Sequence, residues 1–269
     1  MRKLATTVLV FSLVFFILAS ASQTADAQSL RLRLWSAPRG TSVIGEEPNG
    51  ERAGRIGTQS YLDSLAPGNI VWDSTLFGFE YRTRPMGRFL FSVAFDTGSV
   101  ANLIDGEGGF GASPGTNRFF SANVHYILPL PGLQGQFQGA QATVFAGYGY
   151  GGLEVDVGGG TRKFDARGLR YGLDLTLPFG GSGEWYVFGS AAFGNWGVAH
   201  SLLGVATPPD GRATVTDFSL ALGRWFTPMV AGEIGWRSIN WDTTAVGGTP
   251  CPCSVYWGGW TATVNFKLP

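Results

Sequence analysis

Two runs of alternating hydrophobic and polar residues flank a short turn at residues 85–87. The hydrophobic face carries Phe77, Phe79 and Tyr81 before the turn, and Phe89, Phe91, Val93 and Phe95 after it. The opposite face mixes glycine and serine with charged residues such as Glu80 and Arg82. A period of two on both sides of a turn predicts an antiparallel hairpin.

Ten segments of this kind are predicted between residue 29 and the C-terminus. The connections between them alternate in length, with compact turns near Pro85, Pro129, Pro178 and Pro228 and longer polar gaps between those turns, among them residues 97–117 and 151–166. All fourteen prolines fall in these turns and gaps or at the last position. Outer-membrane barrels place short turns in the periplasm and long loops outside, and each strand needs roughly 9–11 residues to cross. The sequence therefore predicts an all-β fold, a single transmembrane antiparallel up-and-down β-barrel of ten strands over residues 28–269.

Two stretches leave the strand boundaries open. Residues 41–45 and 55–65 could pair as an extra hairpin, which makes twelve strands the alternative. Leu153, Val155 and Val157 continue the alternation of the fifth segment and could extend that strand beyond a membrane.

The first 27 residues differ from the rest. A basic start at Arg2 and Lys3, an apolar run over residues 4–19 and small residues before Ala27 predict a signal peptide over residues 1–27. Charged residues make up 14% of the chain, aromatic residues another 14%, and glycine 41 of 269 positions. A typical globular domain has about 25% charged residues and 7% glycine. This composition suits a lipid-facing surface, so we expect export to the bacterial outer membrane.

The pattern over residues 28–269 resembles the small bacterial outer-membrane β-barrel proteins of the OmpA/OmpX-like group. The last segment shows it well, with Trp260, Ala262, Val264, Phe266 and Leu268 alternating outward. Proteins of this group commonly end on an aromatic residue that their assembly machinery recognises, whereas this chain ends at Pro269. The expected partners are the barrel assembly machinery, outer-membrane lipid and lipopolysaccharide, and an extracellular ligand at the outer loops. A formal net charge of zero gives no support for nucleic acid.

The same alternation places eleven charged residues on the inward face. Those expected near the periplasmic end are Arg31, Arg33, Glu80, Arg82, Asp174, Glu233 and Lys267, with His125 beside them, and those nearer the outside are Asp96, Arg170, Asp217 and Arg237. Unpaired charges in a confined lumen are costly, so we predict ion pairs across the lumen that fix the strand register and largely block flow. The alternative is a narrow hydrophilic pore that uses these charges as its filter.

The candidates for catalysis are few. His125 is expected to be a hydrogen-bonded lumen residue, and His200 lies beside Ser201 in a predicted outer loop without a third group to orient the pair. The Asp-x-His of the omptin proteases and the His-x-Ser of barrel lipid A deacylases are both absent. We therefore expect no enzyme activity.

Cys251 and Cys253 fall in the last predicted outer loop, where an oxidising environment favours a short disulfide. Two ligands alone make a poor zinc site, because zinc takes four donors, so neither a metal nor another cofactor is expected.

Together these features predict an integral outer-membrane barrel with a charge-paired, largely occluded lumen, extended outer loops and a structural or surface-interaction role. A narrow channel for ions or small solutes is the alternative. An outer-leaflet lipid-modifying enzyme is the third hypothesis.

Overall fold

The computed structural model describes residues 28–43, 70–105, 110–111, 115–129, 139–157, 160–180, 183–202, 205–206, 211–246 and 249–268. Within these ranges we number the long strands in chain order as β1 (Gln28–Val43), β2 (Ile70–Arg82), β3 (Phe89–Asp105), β4 (Gly115–Leu128), β5 (Gln141–Val157), β6 (Gly160–Phe179), β7 (Trp185–Leu202), β8 (Gly211–Thr227), β9 (Val230–Val246) and β10 (Thr249–Leu268). Two further pieces, Phe110–Gly111 and Val205–Ala206, pair with the ends of β3 and β7. No helix among the described residues is long and apolar enough to span a membrane.

The ten long strands form one closed ring. Each strand pairs antiparallel with the next, and β10 pairs with β1 from Leu268 opposite Gln28 onward. The predicted ten-stranded up-and-down β-barrel is confirmed. The β1 strand pairs directly with β2 over most of its length, which leaves no place between them for two more strands. Residues 55–65, half of the alternative hairpin, lie outside the described part of the chain.

The strands are longer than the sequence pattern predicted. The predicted gap at residues 97–117 is instead occupied by the continuation of β3 to Asp105 and by the start of β4 at Gly115. The β5 strand does continue through Leu153 to Val157, as the alternation there indicated. Some prolines expected in gaps therefore lie in strand ends, as at Pro178 opposite Tyr186.

In the added part of each strand the outward residues are polar and the inward ones apolar, the reverse of the rest of the strand, as β6 shows. In its second half Leu169 and Tyr171 point outward and Arg170 points inward, with Leu169 73% exposed. In its first half the exposed residues are charged, at Lys163, Asp165 and Arg167, and the alternate residues are Phe164 and Ala166, both buried. We call the part of the barrel with apolar outward residues the band, and the part with polar outward residues the collar.

The same inversion is found around the ring. In the band, every strand presents an exposed apolar residue; one from each is Leu34, Phe77, Phe91, Val124, Val144, Leu173, Phe193, Leu220, Ile234 and Trp260. In the collar, exposed polar residues include Ser36, Thr75, Thr97, Arg118, Asn195 and Thr214. The inward side of the collar is a single hydrophobic core to which all ten strands contribute. The band thus has the surface that lipid requires, whereas the collar is built like a barrel in water.

Glycine makes room for the large rings of this core. A Cβ atom on Gly151 would lie 2.1 Å from Cζ2 of Trp241, and one on Gly149 would lie 2.2 Å from the same atom of Trp196. Trp241 and Trp257 pack edge to face with ring centroids 4.6 Å apart. Because the indole rings occupy the space of the missing side chains, these glycines are required by packing.

We therefore expect Gly151→Ala to destabilise the barrel by about 1–3 kcal/mol, the usual cost of overfilling a packed core. Gly197→Ala is the matched control, since the nearest atom to its new Cβ, the carbonyl oxygen of Arg167, is 3.9 Å away. Urea unfolding of the refolded barrel in detergent, followed by tryptophan fluorescence, measures both variants. Equal stability of Gly151→Ala and the unmodified protein would contradict this packing.

Candidate functional site

The lumen of the band holds a connected network of ion pairs. It consists of five arginines and five carboxylates: Arg31, Arg33, Arg82, Arg170 and Arg237 with Glu80, Asp96, Asp174, Asp217 and Glu233. The charges balance among these ten side chains. Each of them was expected from the sequence to face inward, and the structure brings all ten together.

Several of these bonds cross the lumen between strands that are not neighbours in the ring. Arg237 Nη1 donates to Asp96 Oδ2 at 2.7 Å, which joins β9 to β3. Arg82 Nη2 donates to Asp174 Oδ2 at 2.9 Å, joining β2 to β6, and Arg31 donates to Glu233, joining β1 to β9. Charge-assisted hydrogen bonds of this kind are the stronger class, so the network ties opposite walls of the barrel together.

Aromatic rings extend the network at both ends. The guanidinium of Arg31 lies 4.2 Å from the ring centre of Phe188, and that of Arg237 lies 4.9 Å from the ring centre of Trp35. On the short-turn side, the hydroxyl of Tyr186 donates to Glu233 Oε1 at 2.8 Å. Arg237 therefore connects the charged layer directly to the apolar core of the collar, to which Trp35 belongs.

The space left among these side chains is small. A cavity of about 60 Å³ is lined by the network residues other than Asp96, together with His125, Phe145 and Phe188. A second, of about 20 Å³, lies towards the collar between Asp96, Phe119 and Trp196. One water needs about 10–15 Å³, so the larger cavity has room for roughly four waters and for no larger solute.

The collar core is the part of the lumen that the sequence analysis missed. Phe119 stands at its centre, with its ring centroid 5.1 Å from that of Trp257, 5.8 Å from that of Trp35 and 6.3 Å from that of Trp241. Trp257 also donates from Nε1 to Asn117 Oδ1 at 3.2 Å. The signal was present in the sequence, because these residues share the inward parity of the arginines and alternate with polar residues.

Lys267 does not join the ion pairs. Its side chain is exposed at the rim, and its Nζ lies 4.0 Å from the ring centre of Trp225.

Cys251 and Cys253 lie in strand β10 and not in a loop, and their side chains are outside the described part of the structure. Residues two apart in an extended strand have Cα atoms about 6.8 Å apart, the upper end of the range for disulfides, so the predicted bond remains a prediction.

His125 lies beside the network in a chain of hydrogen bonds. Its Nε2 is 2.8 Å from Ser92 Oγ, and its Nδ1 is 3.4 Å from both Asp174 Oδ2 and Thr143 Oγ1. Ser92, His125 and Asp174 thus stand in the order of a hydrolase triad. All three are at least 96% buried, and Ser92 Oγ already accepts a hydrogen bond from Asn123. His200 of the other candidate pair lies in β7, and its side chain is not described.

Comparison with known proteins identifies the architecture. No protein-family model and no curated protein matches the chain. Among solved structures, the outer membrane protease OmpT from Escherichia coli is similar with a TM-score of 0.52 and 12% identity, over 91% of this chain and 99% of that one. The translocator domain of the autotransporter NalP from Neisseria meningitidis gives a TM-score of 0.41 at 12% identity, over 98% of this chain and 97% of the other.

The fold is that of a bacterial outer-membrane β-barrel. At 12% identity the likeness to OmpT shows the fold and no activity. It supports a place in the bacterial outer membrane, where short turns face the periplasm and the other strand ends face the outside. In that orientation the band would lie in the membrane and the collar would stand outside the cell. The signal peptide over residues 1–27 lies outside the described residues and remains a prediction.

Removing one partner from the buried ion-pair network should destabilise this barrel far more than breaking an exposed pair. Arg237→Met leaves Asp96 and Asp217 in the lumen without their shortest partner, and breaking a buried pair from one side costs about 3–5 kcal/mol. Lys163→Met breaks the Lys163–Glu154 pair, which has a similar distance of 3.1 Å but is half exposed, and should cost about 0–1 kcal/mol. Urea unfolding of both variants measures the difference. Equal losses would show that burial of the network is not what matters.

Proposed function

We propose that this outer-membrane barrel does not transport solutes and that it acts through its outer surface, as a structural or surface-interaction protein. The observation that carries the proposal is the filling of the lumen in two layers. The first layer is the ion-pair network in the band, and the second is the hydrophobic core of the collar.

The two layers block passage for different reasons. An ion crossing the band would have to separate guanidinium and carboxylate groups that already hold each other. A hydrated solute crossing the collar would have to displace tryptophan and phenylalanine side chains that are at most 6% exposed. A pore needs one continuous water path, and the described cavities of about 60 and 20 Å³ have room for only a few waters between them. These observations favour occlusion over the narrow channel.

What remains available for function is the outside of the collar and the connections beyond it. The collar is a rigid wall, because its core joins all ten strands, and it holds the outer ends of those strands in fixed positions. Loops on a rigid scaffold are common sites of binding. We therefore assign the interactive role to this end of the molecule.

The occlusion is tested by conductance. The purified barrel, inserted in planar lipid bilayers, should show no steady openings at any holding voltage, since neither layer leaves a water path. Insertion is verified in liposomes of the same composition, where the band strands should resist added protease. Steady, ohmic single-channel currents from the unmodified protein would sink the proposal, and a change of their ion selectivity in Arg237→Gln would assign the pore to the lumen.

We also propose that the Ser92–His125–Asp174 chain is structural and not catalytic. Ser92 is 3% exposed and bonded to two side chains, so an ester carbonyl has no room beside its Oγ. We expect a fluorophosphonate probe to leave the folded barrel unlabelled, with Ser190→Ala and Ser92→Ala indistinguishable from the unmodified protein. Labelling that disappears only in Ser92→Ala would establish a serine hydrolase.

A further inference from the structure

The outer surface of the collar carries its positive charge on one side. On β4, β6 and β8 the outward cations are Arg118, Lys163, Arg167 and Arg212, whereas the outward carboxylates on the same side are Glu154 and Asp165. On β9, β10, β1, β2 and β3 the charged outward residues among the described side chains of the collar are Asp73 and Asp242. Among the described outward side chains, one face of the collar therefore has an excess of two positive charges, and the opposite face has carboxylates and no cation.

Strand register places three of the arginines around one shallow surface. Tyr150 of β5 lies opposite Arg167 of β6, and Arg118 of β4 lies opposite Gly152, the next outward position after Tyr150. Arg167 lies opposite Gly197 of β7, which in turn lies opposite Arg212 of β8. Neighbouring strands are about 4.8 Å apart, so the backbones of Arg167 and Arg212 are separated by roughly 10 Å. The backbones of Arg118 and Arg167 are also offset by two residues along the strands, which makes their separation roughly 12 Å.

These arginines are exposed and available. Among the described residues none of the three guanidinium groups pairs with a carboxylate, while Lys163 and Glu154 neutralise each other at 3.1 Å. Asp165 is instead occupied by the hydroxyl of Tyr150, which donates to its Oδ1 at 2.8 Å. The strand register thus places Arg118 and Arg167 on either side of Tyr150.

The depth of this surface identifies its surroundings. Arg167 is followed on the outward face of β6 by Leu169, which is 73% exposed, and Arg118 is followed on β4 by Phe120, which is 36% exposed. Tyr148, 42% exposed, lies below Tyr150. The arginines thus stand immediately above the band, at the level where acyl chains end and lipid headgroups begin. Because the collar lies outside the cell, those headgroups belong to the outer leaflet.

We propose that Arg118, Tyr150, Arg167 and Arg212 form a binding site for the phosphorylated headgroup of lipopolysaccharide. Guanidinium groups bind phosphate oxygens in a fork of two hydrogen bonds, and two of them on backbones about 10–12 Å apart suit two phosphates on one headgroup. Gly197 has no side chain and leaves the surface between Arg167 and Arg212 open. The acyl chains would then lie on Leu169, Phe120 and Tyr148. The site is on the outside of the barrel and does not depend on whether the lumen is closed.

The test compares two double variants of the full barrel in detergent. Arg118→Gln/Arg167→Gln removes both central guanidinium groups, and Arg88→Gln/Arg224→Gln removes the same charge from exposed arginines near the short turns, where Arg224 pairs with Glu184. The probe is purified hexa-acylated lipid A carrying both phosphates, titrated while the thermal unfolding midpoint is followed. We expect the lipid to raise the midpoint of the unmodified barrel and of the control variant. The site variant should need at least about tenfold more lipid, because each charge-assisted hydrogen bond lost weakens binding by that order.

Three further probes identify the source of the phosphate. Dephosphorylated lipid A, phosphatidylglycerol and inorganic phosphate should each leave the midpoint of the unmodified barrel unchanged at the concentrations at which lipid A acts. An equal effect of dephosphorylated lipid A or of phosphatidylglycerol would overturn the proposal, as would an unaltered response of the Arg118→Gln/Arg167→Gln variant. Single-channel currents would contradict only the occlusion of the lumen, so the two proposals fail separately.

Discussion

A strand that passes from lipid into water keeps its hydrogen bonds, but its outward residues have to change from apolar to polar and its inward residues from polar to apolar. All ten strands of this barrel make that change. On β6 it falls between Arg167 and Leu169, and from there onward the charged residues turn from outside to inside. The hydrogen-bonded ring is continuous across the boundary, so the band and the collar share one register. Each half then requires its own filling, ionic below and aromatic above.

Both fillings depend on that register. A slip of one residue in any of the six strands that supply the network, which are β1, β2, β3, β6, β8 and β9, would turn its arginines or carboxylates into lipid and its band residues into the lumen. The cost of an unpaired charge in hydrocarbon is several kcal/mol, so the ion pairs penalise wrong registers more than they add to stability in the right one. Arg31 and Arg33 illustrate this point, since they contact carboxylates from β2, β3 and β9 in the correct register. The network is therefore better understood as a device for specificity than as a source of net stability.

The sequence was sufficient to predict the ten strands and the inward charges, because in the band the residues alternate and the outward ones are apolar. The prediction failed in the collar, where the residues also alternate but the outward ones are polar. Phe164 and Ala166 alternate with Lys163, Asp165 and Arg167 as regularly as the band residues do, but here the apolar residues face inward and the charged ones outward. The sequence pattern therefore predicted a gap in this region. Lys267 has the inward parity but lies at the rim, where solvent competes with any carboxylate. The alternation tells whether a side chain faces the lumen or the outside, whereas its height in the barrel decides which side chains it can contact.

The contacts across the lumen could not have been predicted in this way. Parity states that Arg237 and Asp96 both point inward, whereas their pairing at 2.7 Å depends on the stagger of β9 against β3 on opposite walls. The tryptophan contacts depend on the closed ring in the same way. Gly149 and Gly151 leave space on the inner wall, and the curvature of the ring brings Trp196 and Trp241 into that space. The closed ring therefore creates the site, and no single strand contains it. Under the function proposed above, the interior serves to hold the wall together. The outer wall of the collar, with its uneven charge, is then the surface on which this barrel distinguishes one neighbour from another.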